Sequence, residues 1–210
     1  MTRRSHPFLF VCLVVAALGL QAQDTTFLLI RHAERQSLLD EDSPLSEAGQ
    51  RRAQALVPLL ESFHPEALHA SDRKRTQQTL APLAAKLKQT PALHPKDGTE
   101  ALAAELLRGA RGRTVLVCWH HDLMKKLARG LGVKGPIPYW SLDAYDRLWV
   151  VRIPAKGDPT LEERRQELVV SARNTRCDLN APSGVTAWAR SRAHAPEGPC
   201  PDGSVPRQLP

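Results

Sequence analysis

One short stretch constrains the fold more than any other, because an apolar run ends abruptly in a charged cluster. Residues 26–30 read Thr-Phe-Leu-Leu-Ile, and residues 31–35 read Arg-His-Ala-Glu-Arg. A continuous apolar run of this length is typical of a strand in a parallel sheet that helices cover on both faces. Open α/β sheets bind ligands beyond the carboxyl ends of their strands. The charged cluster is therefore predicted to border a binding site.

The residue types in this cluster suit chemistry on an anion. The guanidinium group of Arg31 can bind phosphate oxygens through two parallel hydrogen bonds. The imidazole of His32 is then available as a nucleophile or as a base. The cluster therefore indicates a site that acts on a phosphoryl group or a similar anion.

Apolar spacing along the rest of the chain predicts alternating helices and strands. Ser46 has the character of a helix N-cap, with an acidic residue in the first turn that follows it. Helices are predicted at residues 47–63, 74–88, 101–107 and 123–131, and further strands at 67–71, 114–119 and 148–153. Residues 94–98 are expected to form a loop or an edge strand, and residues 162–172 one helix or strand. The order predicts a three-layer α/β/α sandwich around a mostly parallel sheet.

Three polar clusters follow predicted strands: Arg31-His32, residues 71–75 and His120-His121-Asp122. Together they resemble the histidine phosphatase superfamily, also called phosphoglycerate mutase-like. Arg31-His32-Ala33-Glu34 resembles the Arg-His-Gly that opens that family. Residues 45–53, Leu-Ser-Glu-Ala-Gly-Gln-Arg-Arg-Ala, resemble its Leu-(Ser/Thr)-x-x-Gly-x-x-Gln-Ala helix start, except at Arg52. Residues 71–79, Ser-Asp-Arg-Lys-Arg-Thr-Gln-Gln-Thr, resemble its Ser-x-x-x-Arg-x-x-Gln-Thr. The resemblance covers residues 26–153.

The resemblance implies a role for individual residues. His32 would be the nucleophile that forms a phosphohistidine, and Arg31 and Arg75 would bind the phosphate. A later histidine would complete the site, and both His120 and His121 follow the apolar strand at 114–119.

Two choices stay open at the level of sequence. His121-Asp122 resembles the His-Asp element of the acid phosphatase branch, in which the aspartate donates a proton, and Arg35 resembles an arginine of that branch. His121 is therefore the favoured catalytic histidine, and His120 a phosphate ligand. Asp122 and Glu34 compete as the proton donor.

The alanine after the nucleophile departs from the family motif. Glycine at that position lets the backbone approach closely, and Ala33 is the smallest change from it. Activity is therefore expected to survive this substitution.

The amino-terminal residues have the pattern of a signal peptide. Arg3 and Arg4 precede an apolar run at residues 8–20, and cleavage is expected before Gln23. Residues 24–154 are predicted to form the phosphatase domain, and residues 155–210 a mostly disordered extension. The mature protein is expected to be periplasmic or secreted, without stable membrane insertion; an uncleaved anchor is the alternative.

Composition and spacing exclude several other kinds of protein. The net charge is +7, but seven arginines lie between residues 158 and 210. The chain has four Phe and two Tyr, so no aromatic stripe for stacking bases is visible and no nucleic-acid partner is predicted. His32 and the His120-His121 pair lack the short spacing of zinc motifs, so no metal and no cofactor is predicted.

The remaining histidines and cysteines are predicted to be structural. His69 is expected to be a hydrogen-bonded histidine within a strand, and no role is assigned to His94. Cys118 is expected to be a buried free thiol, and Cys177 and Cys200 could pair in an oxidising compartment.

Together these features predict an exported phosphatase. Its substrate would be a small phosphomonoester or a phosphoprotein, hydrolysed through a phosphohistidine. The alternative is an inactive family member that binds a phosphorylated ligand or a protein partner, and a mutase is a third possibility.

Overall fold

The computed structural model describes residues 23–168. The predicted signal peptide and the Cys177–Cys200 pair lie outside these residues, as does most of the predicted C-terminal extension. The strands are β1 (Thr25–Arg31), β2 (Ala67–Ser71), β3 (Ala92–His94), β4 (Thr114–Trp119), β5 (Arg147–Ile153) and β6 (Thr160–Arg165). The helices are α1 (Glu47–Glu61), α2 (Lys74–Leu87), α3 (Thr99–Gly109) and α4 (Met124–Gly130). Among residues 23–168, no helix combines the length and the apolar character that crossing a membrane requires.

The six strands form one mixed sheet in the order β3-β2-β4-β1-β5-β6. β1, β2, β3 and β4 run parallel to one another, whereas β5 pairs antiparallel with β1 and β6 pairs antiparallel with β5. The apolar run that opens the domain is thus an inner strand between β4 and β5. The predicted α/β fold with a mostly parallel sheet is confirmed.

Helices cover both faces of the sheet, which explains why β1 is apolar at successive positions. Phe27 and Leu29 pack on one face with α3 and α4. Leu28 and Ile30 point to the other face and pack with α1 and α2. Because side chains alternate along a strand, only a strand buried on both faces needs apolar residues throughout. All four of these side chains are fully buried.

The sheet extends past the boundary that the sequence predicts at residue 154. β6 pairs along its length with β5, and Leu161 packs against the core. Four of its six residues are charged, so apolar periodicity does not reveal it. The strand is stable at the edge because its charges pair: the Arg152 guanidinium, for example, donates to Glu162 Oε2 at 2.8 Å. The folded domain therefore includes residues that the sequence assigns to the extension.

Candidate active site

The carboxyl ends of three adjacent parallel strands bring the predicted residues together. His32 follows β1, Ser71 ends β2 and His120 follows β4. The ring centroids of His32 and His120 are 5.6 Å apart. Arg75, in the first turn of α2, donates from Nη2 to His120 Nδ1 at 3.2 Å. Residues that are far apart in sequence therefore share one buried site.

His32 is buried, and its environment favours the neutral ring. Its Nδ1 lies 2.8 Å from the carbonyl oxygen of Ala33, so Nδ1–H donates there and Nε2 carries the lone pair. Burial lowers the pKa of His32 to about 3; the Ala33 carbonyl opposes this shift, while Arg31 and Arg75 add to it. The ring is therefore neutral near pH 7 and presents Nε2 as a nucleophilic atom.

Arg31 is bound on one side by a loop that has no motif in the sequence. Its Nη1 donates to the carbonyl oxygens of Ser141, Leu142 and Ala144 at 3.4, 2.6 and 3.2 Å. Its guanidinium carbon lies 3.9 Å from the ring centroid of Tyr145. The buried Nε has no hydrogen-bond partner within residues 23–168. The hydrogen bonds of Nη1 thus go to the loop, and the other nitrogens of the guanidinium group are available to bind an anion.

Arg75 and His120 form a second buried unit. Arg75 Nη1 donates to the Glu41 carbonyl at 2.5 Å, and its buried Nε also has no hydrogen-bond partner in the described part of the chain. Since His120 Nδ1 accepts from Arg75, its Nε2–H donates to Ser71 Oγ, at 2.8 Å. Burial, followed by the charge of Arg75, lowers the pKa of His120. His120 is therefore a neutral ring with a defined tautomer.

The geometry favours His120 over His121 as the histidine that completes the site. His120 is buried beside His32, whereas the side chain of His121 is 24% exposed. His121 Nδ1 lies 3.8 Å from a carboxylate oxygen of Asp122, whose side chain is 53% exposed. Burial lowers the pKa of His121, and the charge of Arg31 adds to this. His121 and Asp122 therefore lie at the rim, within the electrostatic range of the arginines.

Glu34 is held in an ion pair that makes it a poor proton donor. Arg52 Nε lies 2.9 and 3.0 Å from its two carboxylate oxygens, and Arg52 Nη2 lies 2.7 Å from Oε1. Burial opposes ionisation of Glu34, but the bonds from Arg52 outweigh it and hold the pKa below its usual value. Arg52, which departs from the family motif, is therefore the charge partner of Glu34.

The Leu-Ser-x-x-Gly motif packs the start of α1 against the loop that carries His32, which we call the nucleophile loop. The carbonyl of Glu34 accepts the Ser46 N–H at 2.9 Å, and Ser46 Oγ accepts the N–H of Gly49 at 3.1 Å. A Cβ added to Gly49 would lie 2.2 Å from that same carbonyl oxygen. Glycine is therefore required at this position by close packing, not by a positive φ.

The alanine after the nucleophile fits its surroundings. Ala33 is fully buried, and its methyl group packs in a small cluster with Leu45 and Ala53. Its N–H donates to Thr79 Oγ1 at 2.9 Å, and that hydroxyl donates to the carbonyl of Arg75 at 2.6 Å. Thr79 thus connects the loop that carries His32 to the helix turn that carries Arg75.

Several site residues could not be found from sequence. Tyr145 stacks on Arg31, and its ring centroid lies 6.1 Å from that of His32. The Glu41 carbonyl binds Arg75, and the carbonyls of Ser141, Leu142 and Ala144 bind Arg31. Backbone carbonyls carry no sequence signal, because every residue has one.

Comparison with known proteins finds a family that part of the chain matches. Residues 27–97 match the Histidine phosphatase superfamily (branch 1). The 8-oxo-(d)GTP phosphatase of Mycolicibacterium smegmatis is 34% identical over 120 residues, which is 55% of this chain. This match spans only 37% of that curated relative.

Solved structures share the fold at low identity. A phosphoserine phosphatase mutant from Entamoeba histolytica has a TM-score of 0.55 at 15% identity, covering 70% of this chain and 99% of its own. A mycobacterial glucosyl-3-phosphoglycerate phosphatase has a TM-score of 0.53 at 16% identity, covering 67% and 98%. Residues 27–97 thus match branch 1 of the histidine phosphatase superfamily, and the solved structures share the fold of this chain.

Proposed function

We propose that this chain is a phosphatase that hydrolyses a phosphomonoester through a phosphohistidine on His32. One observation carries the proposal: a buried neutral imidazole lies within the electrostatic range of Arg31 and Arg75, whose Nε atoms lack hydrogen-bond partners among the described residues. Such a site combines a nucleophile with fixed positive charge, which is what transfer of a phosphoryl group requires.

The first step transfers the phosphoryl group to the enzyme. The Nε2 lone pair of His32 forms a bond to phosphorus while the bond from phosphorus to the ester oxygen breaks. Arg31 and Arg75 offset the negative charge on the phosphoryl oxygens. The departing alkoxide takes a proton from a nearby acid.

The second step regenerates the histidine. A water molecule attacks phosphorus, the bond from phosphorus to Nε2 breaks, and inorganic phosphate leaves. The base that takes the proton of that water is the group that gave up its proton in the first step.

Asp122 is the better candidate for this proton transfer. Glu34 is held ionised by Arg52, so a proton on it would cost that ion pair. Asp122 has a carboxylate at the site rim whose charge acts on Arg31 and Arg75. We assign it the role of acid in the first step and base in the second.

The electrostatics support a substrate with more than one negative group. Arg35, Arg73 and Lys96 act on the buried site as well, since their charges lower the pKa of Arg75 or of His120. Within the described residues, Arg35 and Lys96 have no carboxylate at ion-pair distance, whereas Arg73 pairs with Asp72 at 3.5 Å. One relative is named for a nucleotide, 8-oxo-(d)GTP. A substrate screen should therefore compare phosphomonoesters with nucleoside triphosphates and phosphopeptides.

Replacement of the nucleophile tests the mechanism. His32→Ala is expected to lower kcat for p-nitrophenyl phosphate by at least about 1,000-fold, because the proposed covalent intermediate forms on its ring. Wild-type protein, quenched during turnover, is expected to carry an acid-labile phosphate that the variant lacks.

The exposed His64 provides the matched control. His64→Asn is expected to retain wild-type turnover. Full activity in His32→Ala would refute the phosphohistidine mechanism. A wild type that binds vanadate or phosphate but releases no product would instead support the inactive binding protein.

Export of the protein is proposed on the sequence pattern alone. Arg3 and Arg4, followed by the apolar run at residues 8–20, support a signal peptide. Mass spectrometry of the protein from its native host should find Gln23 as the mature amino terminus. Intact Met1 in a cytosolic fraction would contradict export.

A further inference from the structure

A second group of histidines lies away from the catalytic residues, at the β3 edge of the sheet. His69 is on β2 and His94 is on β3, the adjacent edge strand. Leu68 and Ala70 pack toward α1 and α2, so His69, which alternates with them, points to the opposite face. Glu105 lies on α3, which covers that face. The predicted hydrogen bond of His69 is confirmed, and its partner is His94.

The three side chains converge closely. His69 Nδ1 and His94 Nε2 are 2.9 Å apart, and Glu105 Oε2 lies 3.8 Å from His94 Nδ1. One ligand atom from each residue can be chosen so that all three lie within 4.8 Å of one another. We propose that His69, His94 and Glu105 bind a divalent transition-metal ion, with Zn²⁺ as the best fit. Two imidazoles and one carboxylate form a donor set that zinc uses, with water at the fourth position.

Metal binding requires only a small opening of the histidine pair. One ring N–H now donates to the lone pair of the other ring. When the metal ion binds, that ring gives up this proton to solvent and takes one up at its other nitrogen, so both rings stay neutral and each offers a lone pair. Tetrahedral zinc with Zn–N bonds of about 2.0–2.1 Å places two nitrogen ligands about 3.3 Å apart. The rings must therefore separate by about 0.4 Å and turn toward a common point. The site is at a sheet edge and the Glu105 side chain is 54% exposed, so both movements have room.

The charges around the two groups of histidines differ, and they favour a cation at His69 and His94 over one at His32 and His120. His32 and His120 lie beside Arg31 and Arg75, which repel a cation. The groups that act on His69 are His94, Glu105 and Arg113.

Two further features favour metal binding here. Arg113 is paired with Glu66 at 3.4 Å, which reduces its repulsion of a cation. A cavity of about 190 Å³, lined in part by His69 and Glu105, gives a metal ion access to the site.

Zinc at this site would join β2, β3 and α3, and of these β2 ends at Ser71 in the active site. His94 is in register with Ser71 across the β2–β3 pair, and Ser71 Oγ accepts from His120. A metal ion would therefore link β3 and α3 to the strand end that positions His120. Binding to the folded state alone raises Tm.

The test is metal titration of the full-length, metal-free protein. Isothermal titration with ZnCl₂ is expected to show one site that is weakened at least about tenfold in each of His69→Gln, His94→Gln and Glu105→Gln. His64→Asn, the exposed control, should bind as the wild type does. Zn²⁺ should raise the Tm of the wild type and of the control, but not that of the three variants.

Two measurements keep the result interpretable. Co²⁺ in place of Zn²⁺ should give a d–d absorption band without a thiolate charge-transfer band, which separates this site from the cysteines of the chain. Glu105→Gln changes an exposed helix residue and should leave the fold intact, as circular dichroism can verify. Affinity that is unchanged in Glu105→Gln and in both histidine variants, or wild-type protein that binds no zinc, would overturn the proposal.

Discussion

At the residue scale, the site works by keeping a histidine uncharged beside two arginines. Water would stabilise a protonated imidazole, but His32 is only 3% exposed and the neighbouring guanidiniums repel a second positive charge. Its Nδ1–H is engaged by the Ala33 carbonyl, so the reactive atom is Nε2. Burial thus determines the charge of the ring, and the Ala33 carbonyl determines which nitrogen carries the lone pair.

This burial predicts a loss of stability in acid. In the unfolded chain His32 takes up a proton near its ordinary pKa of 6.5, whereas in the folded protein it does so only near 3. The unfolded state therefore binds more protons within this window, and the free energy of unfolding falls as the pH drops from 6.5 toward 3. The contribution of one such group is at most about 1.4 kcal/mol per pH unit.

Replacement of the ring isolates that contribution. His32→Asn should show a shallower decline than the wild type in urea titrations across this pH range. His64→Asn should show the wild-type slope. Equal slopes for His32→Asn and the wild type would mean that His32 is not held neutral.

Asp122 is tested by the leaving group of the substrate. Asp122→Asn is expected to lower kcat about 100-fold for an alkyl phosphate, whose alkoxide needs a proton. For p-nitrophenyl phosphate, which has a stable leaving anion, the decrease in the first step should be much smaller. Pre-steady-state bursts measure that step, and an equal decrease for both substrates would exclude Asp122 as the acid.

At the element scale, the start of α1 is packed against the nucleophile loop with no spare room. Ser46 caps the helix and also donates its N–H to the Glu34 carbonyl. Gly49 follows within the first turn and contacts that same carbonyl. The position of the loop after β1 therefore depends on how closely this helix can approach it.

Gly49→Ala should separate the two elements. The new Cβ would overlap with the Glu34 carbonyl oxygen, so α1 or the loop must shift, at a cost of about 1–3 kcal/mol in the free energy of unfolding. Activity should fall as well, since His32 precedes that carbonyl by only two residues.

Gly109, also in a helix, provides the matched control. A Cβ there would have no neighbour within 4 Å, so Gly109→Ala should be neutral or stabilising by up to about 1 kcal/mol. Chemical denaturation of both variants compares them, and equal stabilities would contradict the close packing at Gly49.

At the scale of the whole molecule, the antiparallel edge strand supports the active site from outside it. Gln166, just after β6, donates its N–H to the Asp146 carbonyl at 2.6 Å and its side-chain amide to the Arg147 carbonyl at 2.8 Å. These contacts hold the end of the segment that carries Tyr145 and the carbonyls that bind Arg31.

Truncation tests this support. A chain that ends at residue 154 should unfold at lower urea concentration than one that ends at residue 168, because β5 loses its partner and Trp149 loses the bond from its Nε1 to Glu163. The shorter chain should also lose phosphatase activity, because the segment that binds Arg31 is released. Equal stability and activity would show that residue 154 is a true domain boundary.

The layers of the fold and the main catalytic candidates follow from the sequence by itself. Apolar periodicity indicates how each element is buried, so β1, β4 and the helices can be predicted from their own residues. The carboxyl ends of parallel strands meet at one edge, so His32, Arg75 and a later histidine could be expected to lie close together. These features depend on local pattern and on a general rule of sheet topology.

Only the tertiary structure decided which neighbour each polar group has. His120 and His121 are adjacent and chemically alike in sequence, but the partners of His120 come from β2 and α2. Glu34 is an acid in the motif, yet the guanidinium of Arg52 in α1 keeps it ionised. The charged segment β6 is identified as a strand only by its pairing with β5. The physical reason is the same throughout. The apolar pattern within one helix or strand indicates which of its faces is buried, whereas the hydrogen-bond partner of a polar group depends on packing between elements that are distant in sequence.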